Sequence, residues 1–242
     1  MAEEGPEGGW LPPAAVEAVL ASCGLTLPRS GVARTADEAA AIAAELGGAV
    51  VLKVISDSAL HKSDVGGIAL DLEGASEVRA AYKSVTEAVS DAQGALVQEF
   101  VPGGHEVIIG MTEDPSFGPL ILFGLGGIFV ELIGDVSFRI HPLTDVDAAE
   151  MVREVKTSRL LEGYRGEPVG DVPALEGAIL KVSALVEALP EIVEMDLNPV
   201  KVLEPGQGVR AVDARIRVRP VTASFIPRRA DIPAAEHIRP QR

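Results

Sequence analysis

Near the C-terminal end, the stretch EMDLNP sets Glu194, Asp196 and Asn198 at alternate positions. On an extended strand, side chains two apart share a face, so three oxygen-bearing groups would project together. If the turn of the following hairpin is centred on Pro205-Gly206, antiparallel register puts Asp213 opposite Asn198 and Arg215 opposite Asp196. Carboxylates and an amide oxygen on neighbouring strands suit a hard cation such as Mg²⁺, which keeps several of its waters. The same alternation also describes a half-exposed antiparallel sheet with a structural Asp–Arg pair.

A second stretch, VLKVISDSALHKSDVGGI (51–68), sets Lys53 inside an apolar run. A buried ammonium needs an anionic partner or a path to solvent. A phosphate would serve, and so would the exposed face of an edge strand. The HKSDVGG segment then joins Lys62, Ser63 and the pair Gly66-Gly67 with backbone N–H groups, material for a loop that closes over phosphates, although short polar glycine loops are also plain turns. His61 does not fit a mere phosphate cover. It is a hydrogen-bonding residue or a nucleophile that carries a phosphoryl group.

These groups need a scaffold, and 242 residues with 47% hydrophobic content bury either one large core or two packed lobes. PPAAVEAVLASCG reads as a helix, and a second one starts at Thr35, with Thr35 and Glu38 as a capping box. Residues 49–55 read as a buried strand and 75–91 as an amphipathic helix. Segments 95–101, 106–112, 119–124 and 128–133 are strand candidates, 144–161 and 173–188 helices, and IVEMDLN and VRAVDARIRV closing strands. The expected architecture is α+β, two lobes with mixed or antiparallel sheets flanked by helices. Residues 1–100 form the first lobe, 101–220 the second, and 221–242 an extended Pro- and Arg-rich tail.

Composition narrows the function. A net charge of −15 opposes nucleic acid and anionic membranes, so a phosphate ligand must be held by a local basic cluster. The single cysteine, Cys23, cannot pair within the chain, and no Cys/His metal spacing occurs. The uncharged, largely apolar stretch 117–130 is too short to span a bilayer and is broken by glycines, and MAEEGPEGGW is acidic where a signal peptide would be basic. The expected location is the cytoplasm.

The order of LKVISDSALHKSDVGGI, VQEFVPGGHEVIIGMTEDPSFGPLILFGLGGIFVE, DVSFRIHPL, LLEGYRG and EMDLNPVKV with AVDARI closely resembles the ATP-grasp domain of NDP-forming acyl-CoA synthetases, the family of ADP-forming acetyl-CoA synthetase β subunits. The likeness runs from about residue 10 to 220 and extends to the nucleotide-binding half of succinyl-CoA synthetase β subunits. It implies that Lys53 contacts nucleotide phosphates under the Gly66-Gly67 loop. By the same likeness Glu99, Phe100 and Val101 form a hinge whose backbone reads adenine, and Glu106 lies near the nucleotide. Asp196, Asn198 and Asp213 match Mg²⁺-binding positions, Arg139 a γ-phosphate partner, and His61 a phosphohistidine that passes its phosphoryl group to ADP with Lys62 or Arg139 stabilising charge.

The resemblance also implies a missing half. CoA chemistry calls for a dinucleotide-type fold, yet GLGGIF (124–129) carries Phe129 where the last glycine of G-x-G-x-x-G would stand and runs on into strand-like sequence. The chain is thus expected to act with a CoA-binding α subunit or fused domain, as a hetero-oligomer or homodimer. Two other readings stay open at this stage: an ATP-binding regulatory module of a protein acyltransferase, and another ATP-grasp carboxylate ligase.

Overall fold

The computed structural model describes residues 8–56, 66–126 and 134–220. Two antiparallel sheets carry the architecture. The smaller contains β2 (Ser30–Ala33), β3 (Val50–Ile55), β4 (Ile68–Leu72) and β5 (Gly94–Glu99), in the order β2-β5-β3-β4. Helices α2 (Ala36–Leu46) and α3 (Gly74–Glu87) bury Val50, Leu52, Ala95 and Val97 with Val78 and Tyr82, so alternation leaves Val51, Lys53 and Gln98 on the other face. β3 lies between β5 and β4 and is not an edge. The Thr35 hydroxyl caps α2 by accepting from Glu38 N, while the Glu38 carboxylate accepts from Arg34 N rather than from Thr35 N as in a full capping box.

The larger sheet runs β1-β11-β9-β6-β7-β8, with β10 paired to β9. Its strands are β1 (Gly9–Trp10), β6 (His105–Asp114), β7 (Gly118–Leu125), β8 (Val136–Ile140), β9 (Ile192–Val202), β10 (Val209–Ala211) and β11 (Ala214–Val218). One face packs on α4 (Asp145–Glu154), α5 (Val172–Ala188) and α1 (Pro13–Ser22) around Ile109, Phe123, Met195, Ile179 and Leu20. Gly9 and Trp10 pair with β11, and Val16 and Leu20 of α1 enter this core. Residues 9–25 therefore pack with the larger sheet, whereas the sequence reading grouped them with residues 30–100: an amphipathic helix shows its apolar stripe but not which sheet receives it.

Other boundaries shift for identifiable reasons. The helix expected at 144–161 ends at Glu154 and gives way to a 3-10 turn, Lys156–Leu161, whose first N–H groups are held by the Asp135 carboxylate. Strand β8 is not among the segments the sequence suggests, because the more apolar 128–133 carries the stronger strand pattern; the strand expected at 128–133 lies outside the described residues. No helix among the described residues is long and apolar enough to cross a membrane.

The hairpin β9-turn-β10/β11 is the element that builds the site. Its tip turns at Glu204–Gln207, and the pairs Val202–Val209, Leu197–Ala214 and Asp196–Arg215 follow one register centred on Pro205-Gly206, as the sequence implies. Asp171, at the N-cap of α5 and 8% exposed, fixes that tip by accepting from Gly206 N at 2.8 Å and Gly208 N at 3.0 Å, besides Ala174 N of its own helix. Burial pushes its carboxyl up, but the three backbone donors outweigh this and hold it below the ordinary aspartate value.

Candidate active site

Residues Met195, Leu197 and Val200 of β9 point into the core, so Glu194, Asp196 and Asn198 face the opposite way. The register brings Arg215 beside Asp196, and Asn198 N–H donates to the Asp213 carbonyl at 3.1 Å. Asp196, Asn198 and Asp213 thus come together midway along the hairpin, at the break between β10 and β11. Burial raises the Asp196 carboxyl above its usual range; Arg215 opposes this, and the negative charges of Asp213 and Glu194 add to it. Glu194 is itself paired with Arg217 at 2.9 Å. A desolvated carboxylate crowded by others of its own sign is a place where a cation lowers the free energy.

Lys53 arrives from the smaller sheet. It is 6% exposed and sends its ammonium across to the larger sheet, donating to Val212 O at 3.1 Å and lying 3.6 Å from Asp213 Oδ2. The edge-strand alternative for Lys53 is thereby excluded: the strand is internal and the ammonium is paired across the two sheets. Gly67 O accepts from Val54 N at 2.8 Å, continuing the β3-β4 ladder, while Gly66 has φ +70°, a left-handed conformation that glycine adopts without strain. His61 and Lys62 lie outside the described residues.

The segment 99–101, which leads from β5 of the smaller sheet towards β6 of the larger, divides its polar groups. Glu99 N–H donates to Arg29 O and Phe100 N–H to Ala49 O, so both are spent on the sheet, whereas Val101 N–H has no such acceptor among the described residues. The Glu99 side chain binds Arg29 at 2.6 Å, a hydrogen bond that lowers its pKa and raises that of Arg29. Glu106 and Lys201 face each other at 3.8 Å, and Lys201 also donates to Val101 O at 2.8 Å.

Gln98 was passed over in the sequence. It pairs with Val51, is 3% exposed, and its amide oxygen has no hydrogen-bond partner among the described residues. An unpaired buried acceptor costs about 1–3 kcal/mol. It lies on the sheet face that also carries Lys53. Its signal was a glutamine interrupting the apolar ALVQEFV.

Arg139 requires a correction. Along β8 it pairs with Ile121, whose side chain is in the core, while Phe138 pairs with Leu122 and shares the face of Asp196. Its guanidinium is held on the helix side by Glu154 at 2.6 Å and Glu150 at 3.4 Å of α4, and the Glu154 hydrogen bond raises its pKa. The salt bridge accounts for Arg139; strand alternation keeps it away from Lys53 and Asp196.

The donor set suits magnesium. Its groups are oxygens only, and among the described residues no three His, Cys, Asp or Glu side chains converge as a metal cage. Two carboxylates and one amide leave most coordination positions to water and phosphate oxygens, as Mg²⁺ prefers.

Residues 3–218 match the model of the ATP-grasp domain, and the chain belongs to that family, in its ADP-forming acyl-CoA synthetase branch. It is 48% identical over 204 residues to ADP-forming acetate–CoA ligase I of Archaeoglobus fulgidus, covering 82% of this chain but 29% of that protein. With the β subunit of ADP-forming acetate–CoA ligase I from Pyrococcus furiosus it shares 42% identity over 204 residues, 82% of this chain and 87% of that subunit. The dinucleotide-forming acetyl-coenzyme A synthetase 1 of Ca. Korarchaeum cryptofilum, solved with coenzyme A and Ca-AMPCP, superposes with a TM-score of 0.80 at 42% identity, over 87% of this chain and 94% of that one. A complex of the same protein with coenzyme A and Mg-AMPPCP, its phosphohistidine segment pointing towards the nucleotide binding site, gives 0.75 at 42% identity, with 87% and 93% covered.

Proposed function

We propose that this chain is the ATP-grasp half of an ADP-forming acyl-CoA synthetase, moving a phosphoryl group between ATP and a histidine, in concert with a CoA-binding partner subunit or fused domain. The observation that carries the reading is the meeting of Lys53 with Asp213 across the two sheets, beside Asp196 and Asn198. A nucleotide held there takes Lys53 on its phosphates, with Val101 N–H and the Gln98 oxygen at its base and Glu106 nearby. Asp196, Asn198 and Asp213 hold Mg²⁺, which when bound neutralises charge on the phosphates.

His61 attacks the γ-phosphorus through a neutral ring nitrogen. The P–N bond forms as the bond to the bridging oxygen breaks and ADP leaves with that electron pair. In the reverse sense a β-phosphate oxygen of ADP takes the phosphoryl group from phospho-His61, restoring the imidazole. With Arg139 committed to α4, Lys53 and Lys62 are the cations that offset charge in this step. The partner supplies the phosphoryl donor: a histidine on its mobile segment, charged from an acyl phosphate made from acyl-CoA and inorganic phosphate. That this chain spans 29% of the Archaeoglobus ligase but 87% of the Pyrococcus β subunit is compatible with either a fused or a separate partner.

The test is incubation of the purified chain with Mg²⁺ and γ-labelled ATP. A label that is acid-labile, alkali-stable and absent from His61→Ala supports the reading. ATP binding by calorimetry without any label would point instead to a binding module.

A further inference from the structure

We propose that Lys201 is a positioning residue that locks the hinge at the base end of the cleft to the strand that carries the metal ligands. The proposal rests on the reading of this cleft as a nucleotide site. Lys201 lies on β9, three residues beyond Asn198 and five beyond Asp196. A register shift between β6 and β9 falls at the Asn198-Pro199 step. Because Val200 and Val202 face the core, the Lys201 side chain projects on the same side as Asp196. It pairs with Glu106, its side chain is only 14% exposed, and its ammonium makes three contacts. It donates to Val101 O at 2.8 Å, lies 5.5 Å from the centroid of the Phe100 ring, and is 3.8 Å from Glu106 Oε1.

Each contact falls on a residue at the base end of the cleft. The hinge is tied to the smaller sheet through Glu99 N–H and Phe100 N–H, but Val101 has no backbone partner there among the described residues. Lys201 supplies the tie from the other side. By holding the Val101 carbonyl and covering the Phe100 ring, it fixes the direction in which Val101 N–H is presented. It also sets the distance from that donor to Asp196 and Asn198 on the same strand, and so the span between base and metal-bound phosphates. Lys201 need not touch the nucleotide to do this; it acts through Val101 and Glu106.

Calorimetric titration of the full chain with Mg-ATP and with Mg-GTP tests the assignment, alongside thermal melts without nucleotide. Lys201→Met keeps the aliphatic stem and removes the donor; it is expected to weaken ATP about tenfold and to narrow the preference for ATP over GTP. Lys201→Arg, which retains charge and donor, is expected to recover most of the affinity. A purely structural lysine would lower the melting temperature without changing the ATP-to-GTP ratio. If Lys201→Met fails to fold, Lys201→Gln, which keeps a donor for the carbonyl, decides in its place, with an intermediate affinity expected. A folded variant that binds ATP as the wild type does overturns the proposal alone. A wild-type chain that takes up no ATP overturns the nucleotide reading itself, and the proposal falls with it.

Discussion

At the scale of single residues, Lys53 and Asp196 do opposite things to the protein without ligand. Lys53 is buried but satisfied by Val212 O and Asp213, so Lys53→Met should fold while binding Mg-ATP roughly 10- to 100-fold more weakly in calorimetry, the worth of a charge-assisted contact to phosphate. Asp196 is desolvated beside Asp213 and Glu194, with only Arg215 opposing. Asp196→Asn removes that crowding, so the metal-free variant should melt higher than the wild type at pH 7 while Mg-dependent ATP binding is lost; a lower melting point would refute the charge argument. Arg139→Gln probes the corrected assignment. It should leave ATP affinity within about twofold, because the residue is remote from the cleft, and cost about 0.5–1 kcal/mol for a partly exposed pair with Glu154 and Glu150. A hundredfold loss of ATP affinity would return Arg139 to the site.

At the scale of elements, the decisive unit is the β9 hairpin, and its register was legible because a Pro-Gly turn fixes which residues stand opposite. Strand alternation then set the facing of Glu194, Asp196 and Asn198 without further information. Arg139 was misplaced because likeness of sequence gave a position along the chain but not the face of a strand that had not been assigned. The sequence shows Gln98 only as a break in an apolar run and Lys201 only as part of a longer motif, because what distinguishes them is an unpaired oxygen and a carbonyl on a distant segment, which local pattern does not show. The same unit depends on Asp171, whose carboxylate ties the hairpin tip to α5. Asp171→Ala leaves two loop N–H groups and a helix cap without their partner, and should cost about 2 kcal/mol in denaturant unfolding. Since the folded carboxyl is held below its unfolded value, this stabilisation is complete above the unfolded aspartate pKa, near 3.9, and disappears as pH falls through the lower folded value. The difference between wild type and Asp171→Ala should therefore be constant at neutral pH and shrink only in strong acid.

At the scale of the whole molecule, the described residues form two hydrophobic cores of unequal size. Among the described residues the smaller sheet's cluster has eleven buried members, four of them alanine, whereas the larger has twenty-seven, of which three are alanine. Less apolar area per residue leaves the smaller lobe with less to offset its chain entropy. The ties between lobes include the hinge and the reach of Lys53 to Val212 and Asp213. In hydrogen exchange of the nucleotide-free chain, amides of β3 and β5 should consequently exchange through cheaper openings than those of β6 and β9. On the proposed reading Mg-ATP contacts both walls, so its binding energy would be lost when either lobe opens. At a concentration of 100 times Kd it should add about 2.7 kcal/mol to openings that expose the cleft, slowing them roughly a hundredfold. Both sheets should gain protection together, including strands that touch no nucleotide. Protection confined to the smaller sheet would mean that the ligand is held by Lys53 and its loop alone, with Asp196, Asn198 and Asp213 taking no part in the affinity.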